Sequence, residues 1–234
     1  MQTPTRRAVL FDIDGTLLSI AANEDGERRR YVDTIRGVVG KEACVVPSRF
    51  GGMVDSQICK ILLTELGLSD HEVEISLPKV LTQMGEVYRK MEKEVVLNTG
   101  VRSLLAILAK SQRCIIGVLT GNLTAVAEEK LTCAGIRVYF SELFCADAYF
   151  DRTSLVENAV RTCVTKHELD GRRDVVIGGD TPRDIEAANI AQATSVGIAN
   201  GVYTMAQLSE AGATHVYPTL EPTRELLAGL GETQ

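Results

Sequence analysis

The chain has 234 residues, 45% of them hydrophobic and 24% charged, with 31 acidic against 25 basic side chains and a formal net charge of −6. That length supports one or two domains with an ordinary buried core, and the composition excludes a disordered chain, a collagen and a disulfide-stapled miniprotein. The acidic surplus argues against a nucleic-acid partner, but not against an acidic substrate, because a bound metal can reverse the local field.

Arg6 and Arg7 precede an apolar run that Asp12 and Asp14 interrupt, so a secretory signal is not expected. No run reaches the roughly 18–20 apolar residues that span a bilayer, so no membrane partner is expected. Six dispersed cysteines without a Cys-x-x-Cys pair read as reduced, mostly core residues of a cytoplasmic protein. Short β-branched runs at 8–13, 113–119, 143–146, 174–178, 194–198 and 215–217 predict strands. Helical spacing follows at 124–134, 154–167, 182–191 and 205–211. This alternation is the pattern of a parallel sheet with crossover helices. Residues 19–97 break the rhythm. They hold helical patterns at 22–39, 54–66 and 77–94, with Ser69 and Ser76 as N-cap candidates and Pro78 near the start of the last helix. The charge run 24–30 reads as a solvated helix face. The fold class is therefore α/β, a Rossmann-like three-layer parallel sheet core at 1–18 and 98–234, with an inserted all-helical cap at 19–97.

Three strand ends carry the chemistry. Asp12-Ile13-Asp14-Gly15-Thr16 ends the first strand. Paired carboxylates there call for a cation or a proton, and Gly15 permits a sharp reversal. An Asp-rich turn is the plainer reading of the pair taken alone. Thr120-Gly121-Asn122 ends the second strand and is either a phosphate cradle or a capped turn. Asp180 and Asp184 follow the strand at 174–178, as a magnesium site or as a helix cap with its first turn. Ligands of open parallel sheets bind beyond the strands' carboxyl ends, so Asp12, Thr120 and Asp180 can meet there.

With these motifs the sequence resembles the haloacid dehalogenase superfamily of hydrolases over nearly its whole length, and phosphoglycolate phosphatase-like members with a small helical cap in particular. The resemblance implies roles for the matching residues. Asp12 is the nucleophile and Asp14 the general acid/base, and Thr120 binds the transferring phosphoryl group with its neighbours Gly121 and Asn122. Asp180 and Asp184 hold Mg2+, so that Asp12, Asp14, Asp180 and Asp184 make up the expected metal site. The basic residue of the third motif is assigned to Arg152, with Lys166 as competitor. Arg49, in the Gly-rich stretch 49–55, is either a substrate-binding cation reaching from the cap or a solvated charge. Gln192 stands where relatives have Gly, so the helix end there is expected to differ.

The expected activity is a magnesium-dependent phosphomonoesterase acting on a small phosphorylated metabolite through an aspartyl phosphate, as a monomer or homodimer. Phosphomutase-type transfer is the alternative, disfavoured because no cap histidine offers a proton shuttle. Dehalogenation and phosphonate hydrolysis fit less well, because Asp14 and the acidic pair are all present. A catalytically quiet binding protein on the same fold would be expected to have lost one of these residues.

Overall fold

The computed structural model describes residues 6–20 and 24–232. Six parallel strands make one sheet: β1 (Arg7–Phe11), β2 (Cys114–Leu119), β3 (Glu142–Phe144), β4 (Val175–Gly179), β5 (Thr194–Ile198) and β6 (His215–Tyr217), in the order β3-β2-β1-β4-β5-β6. The order reverses beside β1. The chain winds outward through β2 and β3, then crosses back to β4 on the other side of β1. Such a reversal opens a crevice at the carboxyl ends of the strands.

The strands are apolar throughout because both faces are covered. Val9 and Phe11 point to one face, where they meet Leu104, Leu105 and Leu108 of α4 (Val101–Leu108), Leu131 of α5 (Thr124–Cys133) and Leu226 and Leu227 of α9 (Arg224–Gly229). Ala8 and Leu10 point to the other, against Leu155, Val156 and Val160 of α6 (Arg152–His167) and Ala187 and Ala188 of α7 (Pro182–Ile190). The short α8 (Met205–Glu210) packs on β5 and β6. α4 and α9 were not expected from the sequence, although α9 opens on a Thr223 N-cap whose side chain accepts from Leu226 N and closes before Gly231.

Between β1 and β2 lie α1 (Glu24–Val39), α2 (Asp55–Glu65) and α3 (Asp70–Lys90). They share a separate core that includes Ile35, Leu62, Leu63, Val80, Met84 and Tyr88, which is closed by Leu123 and Val126 from the start of α5. The expected start of the first helix at residues 22 and 23 lies outside the described residues. α3 begins seven residues earlier than its pattern suggested. Ser69, not Ser76, is the N-cap, with a reciprocal capping box to Glu72. Pro78 consequently lies inside the helix, on its exposed face. Packing of α3 on α1, α2 and α5 carries the helix through it. The two chain segments leading into and out of these helices pair with each other. Ser19 N donates to Val96 O (2.9 Å), Asn98 N donates to Leu17 O (3.0 Å), and the Asn98 amide also binds the Gly15, Thr16 and Leu18 carbonyls.

Three expectations are corrected here. The charge run 24–30 is not wholly solvated, since Arg30 is 4% exposed. The cysteines are all free, but Cys44 and Cys133 are exposed rather than core residues. Gln192 adopts the left-handed conformation (φ 61°) at the end of α7, so this helix closes as a glycine would close it, with the cost carried by Gln192. Among the described residues no helix is long and apolar enough to cross a membrane.

Candidate active site

Because β1, β2 and β4 are neighbours, Asp12, Thr120 and Asp180 emerge side by side. Asp12 N donates to Gly178 O (2.9 Å), continuing the ladder one residue past β1. Gly15 then turns the chain back with φ 84°, and a Cβ there would collide with the Asp180 carboxylate. Gly179 and Gly201 are likewise kept bare by Asp184 and Asp180.

Carboxylate oxygens of Asp12, Asp180 and Asp184 lie within 4.8 Å of one another, and all three residues are buried. Burial pushes the Asp12 carboxyl up to about 7 against the pull of Arg152, with Asp184 and Asp14 adding repulsion. Burial and the neighbouring Asp184 and Asp12 charges push Asp180 well above its ordinary value, and the Thr16 hydroxyl, 3.3 Å away, relieves it only slightly. Such a set of close, hard, under-compensated oxygens suits a small divalent cation. Asp184 is the most committed of the three. Its Oδ2 accepts from Thr181 N (3.1 Å) and Thr181 Oγ1 (2.7 Å) in the capping box that starts α7, and its Oδ1 accepts from Arg152 (2.5 Å).

Arg152 is the first residue of α6, whose N-cap Asp151 accepts from Ser154 N (2.7 Å). Its guanidinium turns into the crevice and is 6% exposed. Nη2 donates to Asp12 (3.0 Å), Asp184 (2.5 Å) and Leu119 O (3.2 Å). Burial alone would lower its pKa, but Asp184 and Asp12 outweigh that and hold it charged. Its Nε is buried with no acceptor at all. Lys166 lies elsewhere, 56% exposed and paired with Glu142.

Asp14 does not join the Asp12 group. Its two oxygens are each 2.7 Å from Lys130 Nζ, and Oδ2 also accepts from Asn122 Nδ2 (2.7 Å). Burial would raise its pKa, but Lys130 and these hydrogen bonds bring it below the ordinary value. Lys130, 1% exposed on α5, also binds Glu27 of α1 (2.7 Å) and Asn122 Oδ1 (3.1 Å). No sequence signal marked it, since a lysine in an Ala- and Glu-rich helix reads as solvated. Asn122 also donates to Thr120 Oγ1 from its Nδ2 (2.8 Å) and its backbone N (3.2 Å), fixing the hydroxyl beside the crevice. At Gly121 the chain passes so close to Met53 O that a Cβ would not fit, and Gly121 O accepts from Asp55 N (2.8 Å).

Arg49 is not in the crevice. It pairs with Glu65 at 2.5 Å on the surface, with its side chain 52% exposed. The stretch around it does reach the site: Gly51 O accepts from Arg183, and Gly51, Gly52 and Met53 line the cavity. This cavity, of about 120 Å³, runs from Asp12, Asp14, Thr120 and Arg152 to Arg30, Tyr31, Val45, Phe50 and Ile58 of the helical region.

Residues 55–198 match the family model described as haloacid dehalogenase-like hydrolase. The chain belongs to that family of hydrolases. The match includes Thr120, Arg152, Asp180 and Asp184 and begins after Asp12 and Asp14. The fold is shared with many solved structures. A predicted phosphoglycolate phosphatase from Haemophilus somnus superposes with a TM-score of 0.68 at 19% identity, over 94% of this chain and 97% of that one. A hydrolase from Pseudomonas syringae gives 0.67 at 20% identity, over 92% and 95%. CbbY from Rhodobacter sphaeroides, solved in complex with phosphate, gives 0.66 at 18% identity, over 96% and 99%. No curated protein matches the chain in sequence.

Proposed function

We propose that this hydrolase is a magnesium-dependent phosphomonoesterase acting on a small phosphorylated metabolite, with the helices of 19–97 as a cap over the site. The observation that carries this reading is the buried, unpartnered Nε of Arg152. A buried donor without an acceptor is costly. Here it lies on a guanidinium already bound to Asp12, in a residue that lines the same cavity as Thr120, where a phosphoryl oxygen is a fitting acceptor. The phosphate held by the similarly folded CbbY supports the same reading.

In this mechanism an Asp12 oxygen attacks phosphorus in line, the ester P–O bond breaks, and the leaving alkoxide takes a proton from Asp14. Water then attacks the aspartyl phosphate and gives its proton to Asp14. Asp12 departs with its bonding pair as orthophosphate is released. Arg152 and Thr120 offset charge on the transferring oxygens. Asp12 and Asp180 would hold Mg2+, with Asp184 behind them, and the ion would supply charge neutralisation at the transferring group. Lys130 favours the ionised form of Asp14, so the water-activating half of the cycle comes readily. The acid half works against that hold. Six free cysteines fit a reducing compartment, and we place the enzyme in the cytoplasm.

The test is phosphate release from 4-nitrophenyl phosphate with magnesium and with chelator, in wild type and in Asp12→Asn. Turnover is expected in wild type with magnesium alone. Equal turnover by the Asp12→Asn variant would refute the reading.

A further inference from the structure

Resting on the phosphatase reading above, we infer that the leaving group of the substrate is uncharged and largely apolar, so that the substrate carries no anionic group besides its one phosphate. The juxtaposition that carries this is a cavity with two buried arginines, of which only one has donors left for a ligand.

Arg30 lines the cavity from the helical side, at the far end from Asp12. A guanidinium has five N–H donors, and all five of Arg30 are taken within the protein. Nε donates to Glu27 (2.8 Å), and Nη1 to Asp55 Oδ2 (2.9 Å) and the Met84 sulfur (3.3 Å). Nη2 donates to Asp55 Oδ1 (2.9 Å) and the Tyr31 hydroxyl (2.7 Å). Tyr31 in turn donates to Asp55 (2.6 Å), whose other oxygen also accepts from Leu123 N (2.9 Å). This network closes on itself and offers no free donor. Lys130 is spent in the same way on Asp14, Glu27 and Asn122. Arg30 and Lys130 are thus two cations set against three anions: Asp14, Glu27 and Asp55.

The other cation lining the cavity among the described residues is Arg152, which belongs to the phosphoryl end. At the helical end the side-chain wall is mostly apolar, with Ile20, Val45, Phe50, Met53 and Ile58, and the Gly51–Gly52 backbone beside them. A carboxylate or second phosphate placed there would lose its water, find no cationic side chain with a free donor and sit near Asp55 and Glu27.

The test compares two esters of similar shape, isobutyl phosphate and 2-phosphoglycolate, which differ in exchanging an isopropyl group for a carboxylate. Released phosphate gives kcat/KM for each, with magnesium present. We expect the isobutyl ester to be preferred by at least about tenfold, the scale of a screened like-charge interaction. Equal use, or preference for phosphoglycolate, overturns the inference. In Met53→Lys, which adds a free cation to the apolar wall, the isobutyl-to-phosphoglycolate ratio should fall severalfold. This ratio is internal to the variant and is insensitive to partial loss of folded protein. An unchanged ratio means charge does not set the preference, and that too overturns the inference. Turnover of 4-nitrophenyl phosphate separates the two failures. If it is hydrolysed while the isobutyl preference is absent, only the leaving-group inference falls. If none of the three esters releases phosphate, the phosphatase reading falls and takes this inference with it.

Discussion

The two ends of the cavity each bury an arginine against carboxylates, yet the two are in opposite states. Arg30, at the helical end, has every donor matched by an acceptor of its own protein. Arg152, at the sheet end, concentrates its bonds on one nitrogen and leaves Nε with none. The first arrangement holds a structure together, and the second leaves a donor that the proposed phosphoryl group would meet. Burial and charge alone do not separate them. Hydrogen-bond accounting does, because an unmet buried donor persists only where something else repays it.

The comparison breaks most sharply at Arg152. Arg152→Ala is expected to lower kcat for an aryl phosphate by roughly 10²–10³-fold, the usual loss for one donor to a charge-developing group. It leaves Asp12 and Asp184 unopposed, so the thermal response to magnesium is measured alongside. A retained response with lost turnover assigns the defect to chemistry. Turnover near wild type would make Arg152 a structural ion pair like Arg30.

At Arg30 the expectation reverses. Arg30→Ala leaves the buried Asp55 carboxylate without its opposing charge, with only the Tyr31 hydroxyl and Leu123 N still donating to it, and breaking a buried pair in this way costs about 3–5 kcal/mol. Urea unfolding should register most of the damage, with kcat on the folded fraction far less affected than in Arg152→Ala. A variant as stable as wild type but with a much raised KM would make Arg30 a substrate ligand and erase the distinction between the two ends.

The contrast between these arginines also marks what was legible in the sequence. β1, β2 and β4 read as strands because both faces are buried and nearly every residue is apolar. Their ends therefore located Asp12, Thr120 and Asp180, and their adjacency in the sheet brought the three together. Arg152 was found by its place between the second and fourth motifs. Arg30 and Lys130 were not found. Each sits in a helix among charges, where local pattern says solvent. Their burial depends on Asp55, 25 residues from Arg30, and on Asp14, 116 residues from Lys130. Arg49 failed the opposite way, since a Gly-rich neighbourhood near the site says nothing about where its long side chain goes. The start of α3 was misread because Pro78 looked like a first-turn residue, and only packing against three helices explains why it is tolerated mid-helix.

Asp180 sharpens the sheet end. With no basic partner among the described residues, its charge is compensated only by the Thr16 hydroxyl and by whatever cation binds. The raised carboxyls of Asp12 and Asp180 fix the sign of the pH dependence. A carboxyl whose folded pKa lies above its unfolded value stabilises fully below the unfolded value and loses that contribution as pH rises through the folded one. In chelator, wild type should therefore lose stability from about pH 4 upward through about 7, the value to which Asp12 is pushed. Asp180→Asn removes one of the repelling charges, so in chelator at pH 8 it should melt at or above wild type. Magnesium at a hundredfold excess over its dissociation constant should stabilise wild type by about 2.7 kcal/mol and the variant by much less. A destabilised variant with an undiminished magnesium response would mean that Asp180 is structural and binds no metal.

Arg49 supplies the smallest effect and tests whether the accounting extends to the surface. Its guanidinium has a good partner in Glu65 at 2.5 Å, a contact as short as any made by Arg152. Distance alone would rank the pair with the buried ones. Both side chains are exposed, however, so water competes for every donor, salt screens the charges, and ordering two long side chains costs entropy. Arg49→Ala is therefore expected to leave the melting temperature unchanged within error and kcat/KM for isobutyl phosphate unaltered. Because Arg49 does not line the cavity, kcat/KM for phosphoglycolate should be unaltered too, which is the informative measurement. If Arg49→Ala selectively weakened the use of phosphoglycolate, the side chain would have to swing more than its present pairing allows. The helical end of the cavity would then possess the free cation that Arg30 does not provide, and the division between a self-satisfied end and a ligand-seeking end would no longer hold.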